Sequence, residues 1–223
     1  MAPREQVVEC FELMQQLIAY RYDKPLHHQI MKAADYSMLA EDVLVLICHL
    51  ARICEGSILE IGSFLVASTV AAGLGVRTSG REKKFISIEP GGALKDHKLA
   101  TKNIFKDLTK HVARAGLTDA VTLLNGSSFD DAVIATVKQR FGPGEVGLFI
   151  FDADANVRRD IDCYSSLFRD GCWCVIDDYI SATEKAGPTR QQVDALVAEG
   201  RLIPLGFYGW GTWMGRWSGG EME

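Results

Sequence analysis

Short apolar segments alternate with longer segments of helical periodicity from residue 57 onward. The apolar segments have the length of strands and contain few charged residues, which is typical of strands buried on both faces. Strands that alternate with helices of about ten or more residues form parallel βαβ units. The sequence therefore predicts an α/β fold with a mostly parallel sheet, helices on both faces and a C-terminal antiparallel hairpin. The seven predicted strands are 57–61, 85–88, 121–124, 146–151, 172–176, 202–207 and 211–217.

The segment before the first strand is predicted to form two amphipathic helices. Apolar residues recur in the first at helical spacing until residues 20–24 and Pro25 interrupt it. Ser37, just ahead of the second, is a candidate N-cap. The first apolar stripe is Val7, Phe11, Met14 and Ile18, and the second is Leu39, Val43, Leu46, Leu50 and Ile53. Later helices are predicted at 65–75, 94–114, 130–140, 158–168 and 189–199.

The chain is expected to form one domain over residues 1–223, because no linker, low-complexity tract or internal repeat divides it. Residues 1–55 would form an N-terminal helical cap segment. Residues 56–223 would form the core that binds the ligand.

The composition excludes several classes of partner. The 24 basic and 29 acidic residues give a net charge of −5, so a broad basic surface for nucleic acid is not expected. The longest aliphatic run, residues 43–47, is far shorter than the roughly 18 residues of a membrane span, so no membrane partner is expected. The six cysteines include no C-x-x-C pair, which favours reduced thiols and a cytoplasmic location.

The residues that follow the strands carry most of the chemistry in this sequence. In a parallel sheet, ligands bind at the carboxyl ends of the strands, near the point where the winding direction reverses. Gly62 follows the first strand, Glu89 ends the second, and the serine pair 127–128 follows the third. We therefore expect a small-molecule site at this edge of the sheet.

The turn after the first strand indicates the kind of ligand. A dinucleotide fingerprint would place glycines at positions 62, 64 and 67, where this chain has Gly62, Phe64 and Ala67. Phe64 would obstruct a pyrophosphate at the helix N-terminus, which argues against a nicotinamide-dependent oxidoreductase. A nucleoside without a pyrophosphate is less demanding, and Glu89 can accept two hydrogen bonds from a ribose diol. An ordinary strand–helix turn stays an alternative.

Aspartates follow the fourth and fifth strands. Asp152 comes directly after the fourth, and Asp177 and Asp178 come directly after the fifth. Their carboxylates can converge on a hard divalent cation, and without one they would repel each other and raise their own pKa values. The alternative is that separate aspartates cap helices and bond to loops.

With these motifs in order, the sequence resembles the class I S-adenosylmethionine-dependent methyltransferases, which have a Rossmann-like sheet. Within that group it is similar to the metal-dependent small-molecule O-methyltransferases of the catechol and macrocin kinds. The similarity extends from about Tyr36 to Trp217. The motifs that carry it are Leu59-Glu60-Ile61-Gly62-Ser63, Ile88-Glu89, the segment from Ala115 to Thr122, Asn125-Gly126-Ser127-Ser128, Asp152-Ala153-Asp154 and Val175-Ile176-Asp177-Asp178-Tyr179.

The resemblance implies methylation of a small-molecule hydroxyl, with S-adenosylmethionine as cofactor and Mg²⁺ or another divalent cation as the metal. It makes residues 56–223 an S-adenosylmethionine-binding core and gives Asp152 a catalytic role, and we expect Asp154 to be the second catalytic residue. The implied metal ligands are Asp152, Asp177 and Asp178. The implied cofactor-binding residues are Ser37, Met38, Glu60, Gly62, Ser63, Ser68, Glu89, Ser127, Ser128, Phe129 and Asp152.

Two positions depart from the family pattern. Relatives often have glycine where this chain has Leu65, a change that would narrow the cofactor pocket. They often have a histidine or lysine base near Ala155, so Asp154 becomes the candidate base here. Two alternatives therefore stay open: an S-adenosylmethionine-binding enzyme that uses the aminocarboxypropyl group, such as a cyclase, and a catalytically inactive relative. The expected partners are a small-molecule substrate and a second copy of the chain in a homodimer.

Overall fold

The computed structural model describes residues 3–219, which contain one seven-stranded sheet. Its strands are β1 (Ser57–Ile61), β2 (Phe85–Glu89), β3 (Thr122–Asn125), β4 (Val146–Phe151), β5 (Phe168–Ile176), β6 (Leu202–Tyr208) and β7 (Thr212–Trp217). The strand order is β3-β2-β1-β4-β5-β7-β6. Strands β1 to β5 are parallel, and β7 is antiparallel to both β5 and β6. The predicted fold class is confirmed.

Helices precede the sheet and connect its strands. They are α1 (Pro3–Ala19), α2 (Lys24–Ala34), α3 (Glu41–Ile53), α4 (Ala67–Thr78), α5 (Ile104–Arg114), α6 (Asp131–Arg140), α7 (Val157–Tyr164) and α8 (Ala186–Ala198). Single turns of 3₁₀-helix follow α1 and α7. Among the described residues, no helix has the length and apolar character needed to cross a membrane.

Helix α2 was not predicted, because Pro25 was interpreted as a helix breaker. Pro25 lies in the first turn of α2, where its missing N–H removes no hydrogen bond. The Asp23 side chain caps this helix by accepting a hydrogen bond from the Leu26 N–H at 3.1 Å. The tandem histidines 27–28 therefore lie on a helix.

Two predicted helix starts were wrong. The N-cap residue of α3 is Ala40, and the Ser37 hydroxyl instead accepts a hydrogen bond from the Leu39 N–H at 2.9 Å. The helix predicted from residue 94 begins only at Ile104, where the Asn103 side chain provides the cap. The preceding segment forms a loop that is closed by an antiparallel bridge between residues 94 and 101.

Helices cover both faces of the sheet, as predicted. Along β4, Leu148 and Ile150 belong to the apolar core shared with α1 to α5. Phe149 and Phe151 alternate with them and belong to the core shared with α6, α7 and α8. This alternation gives the three-layer architecture of a doubly wound α/β fold.

The apolar stripe of α1 faces solvent. The side chains of Phe11 and Ile18 are 62% exposed, and those of Val7 and Met14 are 54% exposed. Leu13, on another side of the helix, is instead buried in the core. The sequence pattern predicted the helix correctly, but the stripe does not pack within this chain.

The winding direction reverses between β1 and β4. Strand β1 leads to β2 on one side, whereas its neighbour β4 leads to β5 on the other. At this edge, the Asp152 N–H donates to the Ile61 carbonyl at 2.9 Å and the Gly62 N–H donates to the Ile88 carbonyl at 3.0 Å. The residues that follow β1 and β4 are therefore held side by side, where ligands of such sheets bind.

Candidate functional site

A cavity of about 360 Å³ opens at the carboxyl ends of β1, β2 and β4. This size is typical of small-molecule sites. Among the predicted cofactor-binding and catalytic residues, the cavity is lined by Ser37, Met38, Gly62, Ser63, Ser68, Glu89, Ser127, Ser128, Phe129, Asp152 and Asp154. Residues that were not predicted as ligand contacts also line it, including Tyr36, Phe64, Pro90, Leu94, Ile104, Arg159 and Lys185.

Gly62 makes the turn that forms the floor of this cavity. Its φ is +83°, in the left-handed region that favours glycine. A Cβ at this position would lie 1.9 Å from the main-chain oxygen of Asp152. The close approach of the chain after β1 to the chain after β4 therefore requires a glycine.

The next residues have glycine-like backbone without glycine. Phe64 has a φ of +46° and Val66 has a φ of +148°, both unusual for residues with side chains. Backbone of this kind is strained and is found most often at ligand sites. The positive φ of Phe64 accompanies a side chain that lines the cavity.

Glu89 is a buried carboxylate at the end of β2. Its two oxygens accept hydrogen bonds from the Phe64 N–H at 2.9 Å and the Gly91 N–H at 2.8 Å. Burial raises the pKa of Glu89, and these main-chain donors oppose the shift. Because a carboxylate has about four acceptor sites, Glu89 keeps acceptor capacity toward the cavity.

Glu60 was predicted to bind the cofactor, but it lies beneath the turn and does not line the cavity. Its Oε2 accepts a hydrogen bond from the Thr69 hydroxyl at 2.7 Å, and burial raises its pKa. Its Oε1 has no hydrogen-bond partner within residues 3–219. Glu60 therefore supports the turn from inside strand β1, and its contact with the cofactor stays a prediction.

An aromatic ring and a guanidinium border the end of the cavity near β3. The guanidinium carbon of Arg159 lies 4.0 Å from the centroid of the Phe129 ring, a cation–π contact. The Tyr164 hydroxyl donates to the Ser128 carbonyl and fixes this loop. Arg159 was missed because it lies on α7, away from any strand end.

Asp154 is engaged by Arg159 through both carboxylate oxygens, at 2.8 and 3.0 Å. Partial burial raises the pKa of Asp154, but the hydrogen bonds from Arg159 and from the Asn156 N–H outweigh it, and the net shift is downward. A carboxylate with a lowered pKa and both oxygens bonded is a poor proton acceptor at neutral pH. The prediction that Asp154 acts as the base is therefore not supported by its geometry.

Asp152, Asp177 and Asp178, which we call the aspartate trio, lie together beside the cavity. One oxygen of each carboxylate lies within 4.8 Å of those of the other two. Burial and the neighbouring charge of Asp177 raise the pKa of Asp152 well above its usual value. Burial and Asp178 likewise raise the pKa of Asp177, which accepts a hydrogen bond from the Thr212 hydroxyl at 2.5 Å. The predicted convergence of the three carboxylates is thus present.

Lys185 reaches the aspartate trio from a different element. It precedes α8, and its Nζ donates to the Ala153 carbonyl at 2.6 Å and lies 3.7 Å from Oδ2 of Asp178. Lys185 was not predicted here, because it lies in a polar loop nine residues after the end of β5 and belongs to no recognised motif.

The comparisons with solved structures support the fold. An O-methyltransferase from Bacillus cereus in complex with S-adenosylhomocysteine matches with a TM-score of 0.60 and 17% identity, over 87% of this chain and 90% of that chain. TomG from Streptomyces achromogenes, an O-methyltransferase in complex with S-adenosylmethionine, has a TM-score of 0.61 and 16% identity, over 85% of this chain and 89% of that chain. The S-adenosylhomocysteine-bound methyltransferase PaMTH1 from Podospora anserina also has a TM-score of 0.61 and 16% identity, over 86% of this chain and 87% of that chain.

The sequence itself matches a known family. The profile described as a methyltransferase domain matches residues 59–179, more than half of the chain. Those residues include the turn after β1, Glu89 and the aspartate trio. A search of curated proteins found no match. The chain therefore belongs to the methyltransferase domain family and has the Rossmann-like fold of a class I methyltransferase.

Proposed function

We propose that this protein is an S-adenosylmethionine-dependent O-methyltransferase that methylates a small-molecule hydroxyl with the help of a divalent cation, Mg²⁺ in the simplest case. The observation that carries the proposal is the position of the aspartate trio, which adjoins a nucleoside-sized cavity through Asp152. A cofactor cleft and a cation site that share one residue would place a hydroxyl beside a bound methyl group.

The cavity fits a nucleoside cofactor without a pyrophosphate. Gly62 provides the close turn, Glu89 has acceptor capacity for two ribose hydroxyls, and Phe129 offers an aromatic wall for an adenine. S-adenosylmethionine, when bound, would supply a methyl group on a positively charged sulfur. The complexes of TomG and of the Bacillus cereus enzyme support this choice of cofactor.

The aspartate trio fits a hard divalent cation. Burial and the neighbouring charge of Asp177 disfavour the ionised form of Asp152, and a bound cation would relieve that cost. Three oxygen ligands from carboxylates match the preference of Mg²⁺. The cation, when bound, would lower the pKa of an acceptor hydroxyl without a strong protein base.

The residues of this chain would act mainly by orientation. Ser37 and Met38, from the proposed N-terminal cap of residues 1–55, line the cavity together with residues of the proposed core, 56–223. Glu89 and Gly62 would fix the cofactor, while the trio would fix the acceptor oxygen. Alignment of two reactants in this way can contribute about 7–11 kcal/mol to the lowering of a barrier.

A second candidate is a non-methylating enzyme that uses the aminocarboxypropyl group of the same cofactor. The observation that favours it is the absence of a base from the loop after β4, where residue 155 is alanine and Asp154 is bonded to Arg159. Both candidates use the same cavity, so they differ in their products and not in cofactor binding.

Product analysis tests the proposal and separates the two candidates. The purified protein would be incubated with methyl-labelled S-adenosylmethionine, Mg²⁺ and a panel of small-molecule hydroxyl compounds. O-methylated product with S-adenosylhomocysteine, lost in excess chelator and restored by Mg²⁺, supports the proposal. Methylthioadenosine identifies the second candidate, and full transfer in excess chelator would remove the role of the cation.

A further inference from the structure

Among the described residues, two basic side chains line the cavity, Arg159 and Lys185, and they differ in how their charges are paired. Arg159 is bonded to both Asp154 and Asp160, so its charge is already matched. Lys185 has one hydrogen bond to a neutral carbonyl, that of Ala153, and otherwise faces the trio. Lys185 is thus the cavity-lining cation that is available to these three carboxylates.

The charges of the trio are incompletely balanced by Lys185. Three carboxylates share one small volume, and the ammonium lies 3.7 Å from an oxygen of Asp178. The field of Lys185 also acts on Asp152 and Asp177. A divalent cation on the same oxygens would therefore lie close to a fixed positive charge, and the two cations would repel each other.

We propose that Lys185 is a tethered cation that shares the aspartate trio with the divalent cation and weakens the binding of that cation. The inference rests on the proposed function in so far as the trio binds a metal. Lys185 would partly neutralise the trio while it is empty, and its repulsion would keep the bound metal exchangeable. Its action is electrostatic and requires it to stay protonated, so Lys185 is a positioning residue and not a base.

A purely structural role for Lys185 makes a different prediction. Its bond to the Ala153 carbonyl, together with that from Gln192 to the Ala155 carbonyl at 2.7 Å, ties the loop after β4 to α8. If this were its only role, loss of Lys185 would loosen the loop and weaken metal binding through Asp152. The proposed role predicts tighter binding, so the sign of the change separates the two.

The test is direct titration of the full chain with Mn²⁺. The electron paramagnetic resonance signal of the free ion measures how much Mn²⁺ is unbound at each point. Lys185→Met should bind Mn²⁺ about tenfold more tightly than wild type, the order of magnitude expected when a unit positive charge beside a divalent-cation site is removed. Lys185→Arg keeps the charge and should bind within about threefold of wild type. Lys138→Met, an exposed lysine on α6, removes the same charge elsewhere and should leave the affinity unchanged.

Equal or weaker Mn²⁺ binding by Lys185→Met would overturn the proposal, as would a lack of binding by both Lys185→Met and wild type. Lys185→Gln provides a second neutral variant if Lys185→Met does not fold, as judged by thermal unfolding. Binding of S-adenosylhomocysteine is measured separately on the same samples. A wild type that fails to bind S-adenosylhomocysteine or Mn²⁺ contradicts the proposed function, whereas the ratio of the Mn²⁺ affinities of Lys185→Met and wild type tests the role of Lys185.

Discussion

The main-chain oxygen of Asp152 lies 1.9 Å from where a Cβ on Gly62 would stand. This contact joins the turn after β1, which forms the cavity floor, to the residue that the cavity shares with the aspartate trio. The cavity and the aspartate trio are therefore built on one backbone contact. A side chain at position 62 would separate them.

Gly62→Ala should lower the free energy of unfolding by more than about 3 kcal/mol, because it adds a backbone clash to the strain of a positive φ. Urea denaturation measures the change. Gly80→Ala is the matched control, since Gly80 has a φ of +66° but nothing within 4 Å of an added Cβ. It should lose only about 1 kcal/mol from the backbone strain. Similar losses in the two variants would show that the close approach is not a constraint.

Glycine at position 64 should give a more stable protein than alanine at the same position. Both Phe64→Gly and Phe64→Ala remove the ring, but only glycine adopts a φ of +46° without strain. Phe64→Gly should therefore be more stable than Phe64→Ala by about 1 kcal/mol in urea denaturation. Phe207, exposed on strand β6, is the control position, where glycine should be the less stable of the two. The same order at both positions would contradict the backbone conformation described for Phe64.

Metal-free protein should be stabilised by Asp152→Asn at neutral pH. The pKa of Asp152 is raised in the folded chain. Between the unfolded pKa of about 4 and that raised pKa, the native state binds more protons than the unfolded state. Folding therefore becomes less favourable as pH rises through this range. Asparagine removes this effect, so the melting temperature of Asp152→Asn relative to wild type should increase with pH. Each kcal/mol corresponds to about 2–4 °C in a chain of this size. Thermal unfolding in chelator between pH 4 and pH 8 measures it.

Asp154→Asn is the control for that experiment and should show the opposite sign. The pKa of Asp154 is lowered by its bonds to Arg159, so its contribution to stability is present above the unfolded pKa and is lost as pH falls. Asp154→Asn should therefore melt below wild type at pH 7, with the difference shrinking toward acid pH. A parallel pH dependence for the two variants would contradict the assigned shifts.

A divalent cation should raise the melting temperature of wild type and not that of Asp152→Asn.

The exposed stripe of α1 should mediate the homodimer that we expect. Phe11 and Ile18 occupy positions of a heptad with Val7 and Met14, at spacings that suit pairing with a second apolar helix. Phe11→Glu should convert a dimer to a monomer in size-exclusion chromatography with light scattering. Gln15→Glu introduces the same charge at an exposed position of α1 and should leave the dimer intact. A wild type that is monomeric at all accessible concentrations would contradict this expectation.

Much of the fold was predictable because its signals are local. Strands such as β4 are buried on both faces, so their apolar runs are distinct in the sequence. Residues at strand ends, such as Glu89 and Asp152, were predictable in turn, because parallel strands bring their carboxyl ends to one edge. Helix α2 was missed because Pro25 was read as the end of a helix. A proline in the first turn of a helix looks the same in the sequence unless the capping residue before it is also considered.

The rest of the site depends on tertiary contacts that no local pattern specifies. Arg159 and Lys185 reach the cavity from α7 and from just before α8, where Arg159 packs over the Phe129 ring and Lys185 donates to the Ala153 carbonyl. Both contacts join parts of the chain that are far apart in the sequence. Glu60 lies at a position of β1 from which its side chain turns into the interior, beside Thr69. The periodicity of α1 predicted a helix, but it could not distinguish an apolar face that packs inside the chain from one that stays exposed.

Calorimetric titration with S-adenosylhomocysteine tests the central claim most directly, because it requires no knowledge of the acceptor. The account predicts binding at one site per chain and at least a tenfold loss of affinity in Glu89→Ala, since hydrogen bonds to a charged group contribute about 1.5–3 kcal/mol. Glu82→Ala, which removes an exposed carboxylate just before β2, should bind like wild type. Absence of binding by the folded wild-type protein, or equal affinities for Glu89→Ala and Glu82→Ala, would contradict the assignment of this cavity to the cofactor.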